Sequence, residues 1–174
     1  MTEKSIDIKV EAVFSEDKKH RYFLRRIWDE SKPVALVVSK SAGSDDGVFM
    51  TTTQMLISNQ LYLLGYGGFC LCNLFSEING KGSDDENLKM IKALASDKEY
   101  KDIIICWGNL DSAKESVQEQ AVAVEKILLS EKKKKILAVS DGTGINCHPL
   151  SPMVRKHFEL VLYGPVNKKE KEGE

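Results

Sequence analysis

No run in the 174 residues approaches the roughly 18–20 consecutive apolar residues of a membrane span. The start, MTEKSIDIKVE, is polar and mixed in charge and lacks the apolar stretch of a signal peptide. Both absences predict a cytoplasmic protein with no membrane partner. Neither CxxC nor HxxxH spacing occurs among the four cysteines and three histidines, so the usual zinc frameworks are excluded and the cysteines are expected as free thiols. No metal and no cofactor is expected. A GxxxxGK[ST] phosphate loop, a GxGxxG turn after a strand and a GxSxG elbow are all missing. Nucleoside-triphosphate hydrolysis, dinucleotide binding and ordinary α/β-hydrolase chemistry lose their signatures with them. Charge of one sign is missing too: 25 basic and 26 acidic side chains leave a net of -1. Nucleic acid or anionic membrane would have to be held by a local patch, not by the whole surface.

What is present is a repeating rhythm. Ile6, Ile8, Val10, Ala12 and Phe14 alternate with polar residues, and Tyr22 to Trp28 alternate likewise, which predicts an antiparallel hairpin at a sheet edge. Val34–Val38, Phe69–Cys72, Ile103–Cys106 and Ile136–Val139 are short continuous apolar runs, as expected of strands buried on both faces. Helical spacing separates them: Ile57, Leu61 and Leu64 with Gly65 as stop, then Leu88, Ile91 and Leu94, then Val117, Ala121, Val124 and Leu128. Ser83/Glu86 and Ser112/Glu115 read as capping boxes. This alternation predicts an α/β three-layer sandwich with a mostly parallel central sheet of about four core strands and helices on both faces. Residues 1–165 form one such domain in this reading, and 166–174 a charged, disordered tail.

In sheets of this kind ligands bind outside the carboxyl ends of the strands. Here each apolar run stops at polar or glycine residues: Ser39-Lys40-Ser41, Asn73, Trp107-Gly108-Asn109, and Asp141 to His148. Asp45 and Asp46 follow the first of these in a small acidic loop. His148 can act as acid, base or electrostatic stabiliser near neutral pH, or simply cap a loop carbonyl. His20 and His157 read as surface residues. Arg21, Arg25, Arg26 and Lys32, interleaved with Tyr22 and Trp28, could hold phosphate and stack a base, or could merely protect a sheet edge.

Tyr22 to Trp28, Ser39 to Asp46, Gly65-Tyr-Gly-Gly68 with Asn73-Leu-Phe75, Trp107-Gly108 and His148-Pro149-Leu150 appear in an order that resembles the bacterial family called domain of unknown function 1643. That family's layout is similar to the uracil-DNA glycosylase superfamily, and His148-Pro-Leu-Ser-Pro152 looks like a shortened form of the second glycosylase motif. The resemblance implies a hydrolase or binding domain for a nucleobase, nucleotide or nucleic acid end, with N-glycosidic hydrolysis as the reaction. Asp45 or Asp46 would activate water, and His148 would stabilise the departing base. Ser39, Lys40, Ser41, Asn73, Trp107 and Asn109 would bind substrate, with Trp107 or Tyr66 as the stacking surface. The chain departs from the family where an asparagine-proline-serine motif is expected and Ser39-Lys40-Ser41 stands instead. A lysine there suits phosphate binding better than water activation, so the alternative is a non-catalytic nucleotide-binding or interaction module.

Overall fold

The computed structural model describes residues 2, 3, 5–80 and 82–164; the predicted tail, 166–174, lies outside them. Seven strands form one sheet: β1 (Lys9–Phe14), β2 (Arg21–Ile27), β3 (Val34–Ser41), β4 (Gly68–Phe75), β5 (Tyr100–Ile105), β6 (Lys135–Ser140) and β7 (Glu159–Leu162). Four helices connect them: α1 (Thr52–Leu63), α2 (Asp85–Ser96), α3 (Glu115–Leu129) and α4 (Pro152–Lys156). None of these is long and apolar enough to cross a membrane.

Strand order is β1-β2-β4-β3-β5-β6-β7. β3 runs parallel to β4 and β5, and β5 parallel to β6, whereas β1–β2, β2–β4 and β6–β7 are antiparallel. The expected mostly parallel sheet of about four core strands is therefore overturned: the sheet is mixed, with seven strands, and antiparallel through its N-terminal side. The physical reason lies in β2. Three arginines made it read as an edge, yet it is paired on both sides and almost wholly covered. Each of its cations is met locally, Arg21 by Asp45, Arg25 by Glu99 and Glu11, and Arg26 by the Gly47 carbonyl. Only β1 lies at that edge.

Both faces of the sheet are covered. Leu36, Val38, Cys70, Cys72, Ile103 and Ile105 pack under α2 and α3 through Ile91, Leu94, Val117, Ala121, Val124 and Leu128. Ala35, Val37, Phe69, Leu71, Ile104 and Val139 pack under α1 and α4 through Ile57, Leu61 and Val154. The helix ends show which local signals decide. Gly65 ends α1 at φ +84, donating to the Tyr62 carbonyl while Tyr66 donates to Leu61, a Schellman pair that favours glycine at the left-handed position. At the other end Thr51 caps α1 by accepting from the Gln54 amide. Replacing Thr51 with alanine is expected to cost about 1 kcal/mol, read as a lowered urea midpoint at unchanged slope. The two predicted capping boxes are corrected: Asp84 caps α2, one residue later than expected, and α3 starts after Lys114 with no side-chain cap.

Candidate functional site

The chain leaves β3 toward β4 through α1 on one face, and β5 toward β6 through α3 on the other. The loops after β3 and β5 consequently part company above the sheet, and this is where doubly wound folds open a crevice. A cavity of about 150 Å³ lies at this carboxyl edge, on the α1 side. Ser39, Ser41, Asp45, Asn73 and His148 all line it. Alternation explains three of them. Ser39 and Ser41 share a face of β3 with Val37, and Asn73 shares a face of β4 with Leu71. Ser39 and Asn73 are direct register partners.

The floor is a buried polar network. Asp45, only 3% exposed, receives the Arg21 guanidinium and the Gln54 amide on Oδ2. Arg21 also donates to the Asp45 carbonyl at 3.2 Å and to Asn73 Oδ1 at 3.3 Å. The Asn73 amide then donates to the Ser41 carbonyl at 3.0 Å, closing a ring that ties β2, β3, β4 and the loop together. Burial pushes the Arg21 guanidinium below its ordinary pKa, and the neighbouring Asp45 pushes it back up. Two floor atoms remain without a protein partner: the Nε–H of Arg21, a donor, and Oε1 of Gln54, an acceptor.

His148 stands at the rim. Its Nδ1 accepts from the Leu150 amide at 3.2 Å, which leaves the proton on Nε2 in the neutral ring. Burial first, and the charge of Lys40 second, hold its pKa below the usual histidine value. The ring is thus a neutral hydrogen-bond donor at pH 7. Gly108, at φ +85, lets it sit close: a Cβ there would stand 3.3 Å from the His148 Cβ.

The other predicted site residues go elsewhere. Lys40 alternates to the opposite face of β3 from Ser39 and does not line the cavity, although its charge reaches His148. Asp46 is exposed and turns its carboxylate back on the Val48 and Phe49 amides. Trp107 is 4% exposed, its ring built into the core under α3, so little of its surface is open for stacking. Trp107 and Asn109 border a different, wider cleft of about 750 Å³ beside α3, where Asn109 Oδ1 accepts from the Asp111 amide. Tyr66 lies at the start of β4, the opposite edge of the sheet, bonded to Asp102 at 2.8 Å. The basic cluster on β2 disperses into the separate contacts given above and makes no common patch. His20 is half-buried, not a surface residue, and bonds Ser76 Oγ at 2.9 Å.

Reading the sequence missed Gln54 as a site residue and placed Arg21 only in the basic cluster of β2, not in the floor of this cavity. Gln54 had a signal. It falls on the buried stripe of α1 with Ile57 and Leu61, and a polar residue inside an apolar stripe implies a buried partner. The pairing of Arg21 with Asp45 had none, because the two are 24 residues apart in the chain.

No curated protein and no solved structure matches the chain. One family model does match, over residues 21–150, and this span runs from the floor arginine to the loop that holds His148. On that match, which covers most of the chain, the protein belongs to the family described as protein of unknown function (DUF1643).

Proposed function

We propose that the cavity at the carboxyl edge of the sheet binds an uncharged single-ring nucleobase, free, within a nucleoside or nucleotide, or at a nucleic acid end. The observation that carries this reading is His148, a neutral N–H donor at the rim of a small polar cavity whose one charged pair is internally balanced. A cavity of about 150 Å³ matches the size that holds one benzene-sized ring. With Arg21 matched by Asp45 and Lys40 outside the lining, no free cation among the described residues lines the cavity to prefer a phosphate. The unpartnered donor of Arg21 and acceptor of Gln54 are the kinds of group that an amide-like base edge complements, given a small adjustment of the floor.

A second reading, N-glycosidic hydrolysis, is supported by the place of His148 in the His148-Pro-Leu-Ser-Pro152 segment after the last parallel strand. There the neutral ring would stabilise a departing base anion. Against it stands the engagement of Asp45, the one carboxylate in the cavity lining among the described residues, by Arg21 and Gln54. That engagement leaves water activation to Oδ1 alone.

A melting-temperature screen tests binding, with free bases, nucleosides, nucleotides, inorganic phosphate and short single strands as probes. A pyrimidine base or nucleoside is expected to raise the midpoint, and its 5′-phosphate to add nothing further. Equal shifts with inorganic phosphate alone, or no shift with any base or nucleoside at millimolar concentration, would overturn the proposal. Random duplex DNA is expected to bind weakly or undetectably in about 150 mM salt, because affinity built on few phosphate contacts is lost to counterions. Tight duplex binding with a steep salt slope, measured by fluorescence anisotropy, would contradict this.

A further inference from the structure

A second concavity, of about 410 Å³, lies between α1 and the N-terminal edge of the sheet, away from His148 and its cavity. Its walls are largely apolar: Ile8, Trp28, Met55 and Tyr62 line it. Met55, Tyr62 and Ile8 are each about half exposed, at 47%, 55% and 48%. Three charged residues share the lining, Arg26, Asp29 and Lys32. Arg26 lines the groove, yet it is only 9% exposed. Its guanidinium donates to the Gly47 carbonyl, and among the described residues no carboxylate pairs with it. Asp29 and Lys32, at the same lining, are paired with each other at 3.2 Å and so balance one another. Burial lowers the Arg26 pKa with no counter-charge to offset it. Ser58, also in the lining, keeps a buried hydroxyl without a partner.

A buried cation without a counter-ion is costly, and an anion that reaches it recovers the lost interaction. The walls require the rest of that ligand to be apolar, and a volume of this size is ordinary for a small-molecule site. We propose that this groove binds a small organic anion, a carboxylate or phosphate ester on an aromatic or apolar body. The anionic group bonds Arg26, with Ser58 as a further donor, while the body lies between Trp28, Met55 and Tyr62. The site is distinct from the nucleobase cavity and does not depend on that reading.

The chain's two tryptophans separate the sites spectroscopically. The Trp28 indole N–H donates to the Tyr66 carbonyl at 3.0 Å within the groove wall, and Trp107 lies in the core elsewhere. We would titrate the ¹⁵N-labelled protein with 1-naphthoate, 1-naphthyl phosphate and the neutral 1-naphthamide. At least one anion is expected to move the Trp28 indole resonance and leave that of Trp107 in place. The amide is expected to bind about tenfold more weakly or worse. Which anion binds more tightly identifies the head group. Arg26→Gln should erase the preference for anions over the amide. Because Arg26 also holds Gly47, Met55→Glu serves as the companion variant: it puts a repelling charge on an exposed helix position and should weaken the anion while leaving the fold intact. Equal affinity of acid, phosphate and amide, no movement of the Trp28 resonance, or unchanged anion binding in a folded Met55→Glu protein would each overturn the proposal.

Discussion

Asp45→Ala is expected to lower stability by about 3–5 kcal/mol, the usual cost of leaving one member of a buried ion pair without its partner. For a chain of this size that is a fall of roughly 6–20 °C in melting temperature. The Oδ2 of Asp45 is the shared acceptor for Arg21 and Gln54, both 1% exposed, and its removal strands a buried guanidinium without its counter-charge. Arg21→Met should cost a comparable amount. The double variant Arg21→Met/Asp45→Ala should cost less than the sum of the singles, because no charge is then left buried. A carboxylate kept only to orient water would behave differently, since its loss would leave the melting temperature nearly unchanged and remove activity alone. Chemical denaturation of the three variants decides between these roles, and an Asp45→Ala protein as stable as the parent would remove the structural account.

His148→Ala has the opposite signature: ligand response abolished, fold retained. The Cβ of His148 lies beside Gly108 at the rim, and the ring Nδ1 accepts from the Leu150 amide. Loss of that bond costs about 1 kcal/mol. If the site is catalytic, loss of the donor costs about 10²–10³ in rate. Acid should mimic the substitution. The folded pKa of His148 lies below its unfolded value, so the unfolded chain binds the extra proton more readily. The neutral ring's contribution to stability is fully present above a pH of about 6.5 and is lost as pH falls from there through the lowered folded value. A proton on Nδ1 would also oppose the Leu150 amide. His148→Ala should therefore flatten this part of the pH–stability curve. A variant that melts earlier but keeps its full ligand response would make His148 an ordinary structural residue.

The sequence made some of this visible and concealed the rest. Apolar runs such as Val34–Val38 and Ile103–Cys106 marked the buried strands because length and burial on two faces leave few alternatives. The polar residues at their ends were legible for the same reason: Ser39, Asn73 and His148 do share one cavity. The position of β2 was hidden, since a charged strand reads as an edge unless its partners are known, and those partners come from distant loops and strands. Asp45 and Asp46 looked equivalent as neighbours in one acidic loop. The fold separates them completely, one into the core beside Arg21 and the other into a solvent-facing turn. Trp107 looked like a stacking platform because it ends a strand, and the alternation that carries it into the α3 core could have been counted beforehand.

The loop from Gly43 to Met50 is fastened twice to the same strand, Asp45 to Arg21 and the Gly47 carbonyl to Arg26. β2 is an interior strand, so both anchors are as rigid as the sheet itself. A segment held this way cannot swing as a lid without breaking two guanidinium contacts at once. The wall of the cavity is accordingly preorganised: its ordering entropy is settled when the chain folds, and a ligand does not meet that cost on arrival. Association should then proceed in a single step, with an observed rate that climbs linearly with ligand concentration and shows no plateau from a slow opening.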